Sequence, residues 1–455
     1  MRRTFPLALT VAVAALGGLL FGFDTAVIAG ATRALSSHFR LTPVTLGVTV
    51  SCALWGTVVG GLFASIPGER YGGRESLRIT AVLYLASALG CALAQNWTTF
   101  LMFRFIGGLA IGGCSVFGPM YIAETSPAHL RGRLVACFQL SIVTGILAAY
   151  GSNYILSLLR LGQREWRFDL GVAAIPAVLF FFALALIPRS PRWLLKKGRV
   201  EEARRAFQRI QVDDPDAEIT AIVNALTIER NRITPFLFSP AFRAPLLIAL
   251  ALGLFNQLSG INAILYYLND IFGLAGYARV SSGKQAVAVG VANLLFTLLG
   301  MSLIDKAGRK VLLLAGSVGM ASTLAGIAFI FFENSGQRYL LPLLLIFIAF
   351  FASSQGAVVW VYLSEIFPSS IREKGEGFAS FWLWLLTALV AGIFPRLAAA
   401  SSGFPFVLFS VMMVVQFFVV LWLFPETKGR SLEDIQQQVE RGSPDSAGTR
   451  PLFSH

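Results

Sequence analysis

The chain has 455 residues, a mean hydropathy of +0.70 and only 13% charged residues. A soluble domain carries about twice that charged fraction, so a water-soluble enzyme or binding domain is excluded. The net charge of +13 is not arranged as a basic stripe interleaved with aromatics outside the apolar runs, which excludes a nucleic-acid binder.

Arg2 and Arg3 precede an apolar run from Phe5 to about Ala31. The run carries Asp24 and lacks a convincing cleavage site, so it reads as a first membrane span rather than a signal peptide. Further runs follow, each long enough to cross a hydrocarbon core of roughly 30 Å as a helix. The expected spans are 6–31, 44–66, 77–96, 99–122, 133–158, 167–187, 243–271, 284–304, 311–332, 338–364, 374–399 and 402–424. Between the sixth and seventh lies a polar, Arg- and Glu-rich stretch with two amphipathic segments. One puts Val200, Ala203, Phe207 and Ile210 on a single helical face, and the other Ile219, Ile222, Val223 and Leu226. This predicts an N-terminal half at 1–187, a cytoplasmic helical linker at 188–242, a C-terminal half at 243–424 and a cytoplasmic tail at 425–455. With both termini in the cytoplasm, most of the 37 Lys and Arg residues fall on the cytoplasmic side, as the positive-inside rule requires. Cys52, Cys91, Cys114 and Cys137 lie in apolar spans with no zinc or redox spacing and read as packing residues. His38, His129 and His455 are scattered, so no metal and no cofactor is expected.

The chain repeats itself. Glu124–Arg131 (ETSPAHLR) recurs as Glu365–Arg372 (EIFPSSIR), Gly72-Gly-Arg74 as Gly308-Arg-Lys310, and Pro188-Arg-Ser-Pro191 as Pro425-Glu-Thr-Lys428. The three matches share nearly one offset of about 240 residues. An even number of spans per half keeps both copies in the same orientation, so the repeats are parallel. The fold class expected is an all-α membrane protein of twelve transmembrane helices in two six-helix halves, the two-half design of major facilitator transporters.

The repeated charges sit at helix ends. Arg70, Arg74, Glu124 and Arg131 cluster in the first half, and Asp305, Arg309, Glu365 and Arg372 in the second. Arg–carboxylate pairs there can tie neighbouring helix ends together and form a cytoplasmic gate that biases one transport state. Simple positive-inside anchoring is the alternative. Inside the spans, uncharged amides need a reason, because unsatisfied polar groups in hydrocarbon are costly. Gln139, Asn256, Gln257, Asn262 and Asn293 can exchange hydrogen bonds with a solute's hydroxyls, or can bond between helices. Trp360 and Trp384 can offer flat apolar surface to the C–H face of a ring-shaped solute, or can fill space. Asp24 and Arg104 are ionisable residues inside spans and are functional candidates by default. A carboxylate between the opposing effects of burial and a neighbouring arginine can take and release a proton. A static ion pair that fixes packing is the alternative.

Seven motifs in order carry a family resemblance. They are Gly72-Gly-Arg74, Pro119-Met-Tyr121-Ile-Ala-Glu124 through Arg131-Gly132, Pro188-Arg-Ser-Pro191-Arg192-Trp193, Gln257-Leu-Ser-Gly260-Ile-Asn262, Asp305-Lys-Ala-Gly308-Arg309-Lys310, Glu365-Ile-Phe-Pro368 and Pro425-Glu426-Thr-Lys-Gly429. Together they resemble the sugar porter family of the major facilitator superfamily, from about Gly17 to Ile435. The chain looks most like bacterial sugar–proton symporters of the xylose and glucose type, and is similar to facilitative glucose transporters.

The resemblance implies that Gln139, Gln257, Asn262, Asn293 and Trp360 match sugar-binding positions, and that Phe21 and Trp384 match aromatic positions lining the cavity. Asn256 stands where the family commonly has glutamine. Ile146 and Leu383 are apolar where some pentose carriers are polar, which tilts the reading toward a hexose. Tyr266 and Tyr267 match an outer aromatic gate. An aspartate at Asp24 goes with proton coupling, with the arginine at Arg104 as its partner. Glu426 matches an acidic member of the inner gate. Gly73 stands where the family usually has arginine, and Arg189 where it usually has glutamate.

The function expected is a secondary transporter moving a monosaccharide with a proton by alternating access. It would sit multi-pass in the inner membrane and work as a monomer. A facilitative uniporter or a polyol or inositol carrier of the same fold is the alternative. No metal cluster, nucleophile elbow or phosphate loop points to an enzyme.

Overall fold

The computed structural model describes residues 5–127, 130–212, 214–231, 235–368 and 370–428, apart from the side chains of residues 5, 228–231, 279 and 305. All twelve expected spans form. Their bounds are Pro6–Phe39, Pro43–Leu62, Gly73–Leu93, Trp97–Thr125, Arg131–Leu158, Gly162–Ala183, Pro240–Tyr266, Val280–Ile304, Arg309–Glu333, Gln337–Ile366, Arg372–Ala400 and Phe404–Leu423. They are called spans 1 to 12 below.

Local chemistry sets the boundaries. Span 2 starts at a capping box in which Thr42 and Thr45 exchange side-chain and backbone hydrogen bonds, with Pro43 in the first turn. Asn96 caps span 4 by accepting from the Thr99 N–H. Span 1 continues to Phe39, well past the expected Ala31. Its last turn is held by an aromatic cluster in which His38 and Phe39 pack on Trp166, and Phe39 on Phe100. The apolar tally ends at Ala31, but the helix ends where its contacts end.

Two compact units emerge. The first runs over Met1–Arg232, Asn262–Leu294 and Thr387–Ala399, and the second over Ile233–Ile261, Leu295–Leu386 and Ala400–His455. In the first unit, spans 2 and 4 meet backbone to backbone. A Cβ on Gly108 would lie 1.9 Å from the Ala53 carbonyl oxygen, and one on Gly112 2.2 Å from that of Thr57. Gly56 and Gly60 complete the seam from the other side, at 2.3 Å from the Phe105 and Leu109 carbonyls. Only small residues allow such an approach in a membrane protein.

Segments from late in the chain join this unit by specific bonds. The Tyr150 hydroxyl donates to Leu265 O at 2.8 Å, and the Tyr267 hydroxyl to Ala391 O at 2.9 Å. Arg33 Nε lies 3.3 Å from Asp270 Oδ1, and its Nη2 donates to Asn269 O.

The linker forms helices Pro191–Lys196, Val200–Arg209 and Pro215–Asn231, with a small core of their own. Ala203, Phe207, Ile210 and Ile219 are buried in it, and Ile222 and Leu226 pack against it. Val200 and Val223 are exposed, contrary to the helical-face expectation. Val200 opens its helix, and Val223 lies beyond the edge of a stripe already filled by Ile219, Ile222 and Leu226. The linker is tied to the turn before span 3, where Trp193 Nε1 donates to Glu69 O at 3.0 Å.

The second unit is organised around a buried cluster that includes Leu252, Leu313, Val358, Tyr362, Phe367 and Val420. Two of its helices are interrupted. Helix Arg243–Leu258 stops before Gly260, whose φ of +80° only glycine adopts freely. A Cβ there would also lie 2.2 Å from the Phe409 ring. Span 10 breaks at Ser354, so that one helix ends at Ser353 and the next begins at Gln355. At the Ser354 break no glycine takes a positive φ, and Gly356 lies within the new helix.

Candidate functional site

In the first unit, Asp24 and Arg104 meet in the interior. Arg104 Nη1 donates to Asp24 Oδ1 at 2.7 Å, and the two residues are 2% and 7% exposed. A small cavity beside them is lined by Tyr84, Ser87, Cys91 and Leu170 among others. Arg104 Nε and the Tyr84 hydroxyl are buried there without a hydrogen-bond partner. Tyr84 was not singled out in the sequence, because one tyrosine in an apolar span carries no pattern.

Phe21 and Gln139 are half-buried on spans 1 and 5, Asn262 is half-buried just past the Gly260 break, and Asn293 is buried on span 8. Tyr266 and Tyr267 are both buried. Besides its bond to Ala391, Tyr267 stacks on Phe394 at 5.2 Å.

In the second unit, Asn256 and Gln257 belong to a chain of amides. Gln257 Nε2 donates to Asn256 Oδ1 at 2.8 Å, Asn256 Nδ2 to Gln355 Oε1 at 3.2 Å, and Gln355 Nε2 to Gln416 Oε1 at 2.5 Å. Gln355 and Gln416 were missed in the sequence, where each is an isolated amide in the middle of an apolar run. Trp384 is half-buried against the core cluster, and Trp360 is 44% exposed.

The charged helix ends follow one plan in both units, with different outcomes. In the second unit, Gly308 turns with φ +90° into span 9. Arg309 then grips Glu365 with two bonds, Nη2 to Oε1 at 2.8 Å and Nε to Oε2 at 3.2 Å. Glu426 accepts the backbone N–H groups of Arg309, Lys310, Thr427 and Lys428, each at 3.0 Å. A carboxylate thus caps the start of span 9, where free N–H groups favour an anion. Burial pushes the Glu426 carboxyl up, but these N–H donors outweigh it and hold it below its usual 4.5. Thr427 adds a hydroxyl bond to Glu365 at 2.6 Å, and Tyr362 donates to Pro425 O.

In the first unit, Gly72 makes the same turn with φ +82°, and Tyr121 donates to Pro188 O as Tyr362 does to Pro425. The ion pairing differs. Gly73 stands at the place of Arg309, and Glu124 Oε2 is buried without a hydrogen-bond partner. Arg74 instead pairs with Glu75 and donates to Ile187 O. Glu75 also takes Arg78 at 3.0 Å and lies 3.6 Å from Arg189. Glu75 was overlooked in the sequence because it follows Arg74 directly and has no counterpart in the repeat.

Arg70 lies over the Tyr71 ring, Arg131 donates to Ala123 O and Arg372 to Phe367 O. None of the three forms a salt bridge with a carboxylate among the described residues, although Arg372 acts electrostatically on Glu376. The side chain of Asp305 lies outside the described residues.

Comparison with known proteins decides the family. The model described as "Sugar (and other) transporter" matches residues 10–439. The chain belongs to this family. It is 37% identical over 434 residues to the arabinose-proton symporter of Bacillus subtilis (strain 168), covering 93% of both chains. It is 34% identical over 464 residues to the D-xylose-proton symporter of Escherichia coli (strain K12), covering 93% of this chain and 94% of that one. The inward open conformation of the xylose transporter XylE from E. coli superposes with a TM-score of 0.85 at 33% identity, over 95% of this chain and 99% of that one. The protein is therefore a multi-pass secondary transporter of the major facilitator fold, made of two six-helix repeats and a linker, and not an enzyme.

Proposed function

We propose that the protein carries a monosaccharide together with a proton, inward across the inner membrane, with both termini in the cytoplasm. The observation that carries the coupling is the Asp24–Arg104 pair, 2.7 Å apart inside the first unit. An ion pair in this setting is costly unless it does something. Protonation of Asp24 removes half of the pair, weakens its hold on span 4 and permits the change of access. Gln139, Asn256, Gln257, Asn262 and Asn293 supply sugar hydrogen bonds, and Phe21, Trp360 and Trp384 supply ring contacts. Tyr266 and Tyr267 close the outer side. The clusters around Arg74, Glu124 and Arg131, and around Arg309, Glu365, Arg372 and Glu426, close the cytoplasmic side. One chain holds all of these groups, which supports a monomer as the working unit.

Ile146 and Leu383 are buried apolar residues, 5% and 6% exposed. They shorten the hydrogen-bond inventory and favour a hexose. The pentose named for each of the two symporters above supports the second reading, a pentose carrier.

Uptake into proteoliposomes with and without an inward proton gradient tests the coupling. Asp24→Asn should abolish accumulation against a gradient yet leave counterflow exchange. Undiminished gradient-driven accumulation in that variant would refute the coupling role. A competition panel of glucose, galactose, xylose, arabinose and fructose against labelled uptake decides between the two sugar classes.

A further inference from the structure

The amide chain in the second unit has a direction. Gln355 Nε2 donates to Gln416 Oε1 at 2.5 Å and lies 3.7 Å from the Met413 sulfur, which can accept but not donate and so fixes the sense of the amide. Its Oε1 therefore must face Asn256, and it accepts from Asn256 Nδ2. A flipped Gln355 would turn its carbonyl oxygen toward the Met413 sulfur, acceptor against acceptor. Asn256 is oriented in turn, its Oδ1 accepting from Gln257 Nε2. Gln257 spends an Nε2 hydrogen on Asn256, which fixes the sense of its amide as well.

Packing alone does not explain this arrangement. Gln355 and Gln416 are both 0% exposed, and Gln416 Nε2 is buried without a partner. A buried amide with an unmet donor costs more than an apolar residue of its size. The break of span 10 at Ser354 places Gln355 at the first position of the new helix, facing Asn256 on span 7.

We propose that Gln355, backed by Gln416, is a positioning residue that sets the amide polarity of Asn256 and Gln257, and so decides which sugar hydroxyls are read as donors and which as acceptors. This rests on the reading that Asn256 and Gln257 contact the sugar. Gln355 itself touches other protein groups. Its effect reaches the sugar as stereochemical discrimination, because an amide free to flip accepts either sense of hydroxyl.

The test uses the full chain in proteoliposomes, with glucose against galactose and xylose against arabinose as paired probes. Gln355→Leu should raise the apparent KM for the preferred sugar by about tenfold and shrink the preference within each pair, with a smaller change in maximal rate. Gln416→Leu should relax the preference by about threefold, and it carries the test if Gln355→Leu does not fold. A Gln355→Leu or Gln416→Leu protein whose rates fall equally for every sugar, with the ratios intact, would overturn the proposal. Gln257→Ala separates the two layers. Unchanged uptake and preference in that variant would remove the sugar-contact reading itself. Impaired uptake there, alongside unaffected Gln355 and Gln416 variants, would remove only the positioning role.

Discussion

The two glycine turns, at Gly72 and at Gly308, begin as copies and end as opposites. Both put glycine in the left-handed region, and both are followed by a tyrosine hydroxyl bound to a proline carbonyl. At Gly308 the network closes, since arginine finds glutamate, a second glutamate caps the helix start, and a threonine joins them. At Gly72 it stays open. Glycine replaces the gripping arginine, Arg189 replaces the capping glutamate, and Glu124 keeps a buried oxygen with no partner. Arg74, Arg78 and Arg189 regroup around Glu75 instead. One half of the molecule thus holds its helix ends with a bidentate, capped pair, and the other with a partly exposed cluster. If these ends form the cytoplasmic gate, its strength is concentrated in the second half.

The comparison breaks most sharply at Arg309. Arg309→Ala takes two charge-assisted bonds from the half-buried Glu365, leaving it only the Thr427 hydroxyl, which costs about 2 kcal/mol. A large fall in melting temperature in detergent and loss of uptake are expected. A neutral result would mean that the closed network is ornamental.

A gain is expected from rebuilding the open side. Gly73→Arg combined with Arg189→Glu gives Glu124 its grip and span 3 its cap. A Cβ at residue 73 meets Tyr121 at 3.2 Å, which a small shift relieves. The double variant should be more stable by about 1.5 kcal/mol, the scale of a hydrogen bond to a charged group. Turnover should slow as the gate tightens. Faster turnover would refute the assignment of this cluster to a gate.

Glu75→Gln should cost about 1 kcal/mol or less, because its partners are partly exposed and solvent screens them. Urea or thermal titration measures it. A loss as large as that of Arg309→Ala would mean that the regrouped cluster equals the closed one.

The smallest effect is the pH dependence of the Glu426 cap. Its carboxyl is held below 4.5 in the folded protein. Its contribution is therefore complete above the unfolded value and is lost as pH falls through the lower folded one. The stability difference between wild type and Glu426→Gln should stay flat from neutral pH down to the ordinary carboxylate range and close only below it. A difference that vanished nearer neutrality would place the carboxyl in another environment.

The twelve spans, the linker and the repeat were legible because hydropathy and motif order act over long stretches. The Asp24–Arg104 pair was legible because two charges inside apolar spans have few other partners. Gly73 and Arg189 stood out against the motif, but their consequence did not, since the orphan oxygen on Glu124 depends on side chains from three segments. Gln355 and Gln416 were invisible for the same reason. Each is a single polar letter, and only the folded chain shows that they form one chain with Asn256. Val200 and Val223 misled because a helical face says which residues align, not how far the covering partner reaches.

The seam of Gly56, Gly60, Gly108 and Gly112 bears on how the gene can drift. Around most of the protein one apolar side chain can replace another, because lipid and neighbouring side chains yield. Along this seam there is no conservative exchange, since even alanine sets a methyl group where a carbonyl oxygen already stands at 1.9 to 2.3 Å. In a library of random substitutions selected for growth on the sugar, these codons should appear as two pairs of silent positions, four apart within each pair. They record a contact that carries no chemistry and tolerates no revision.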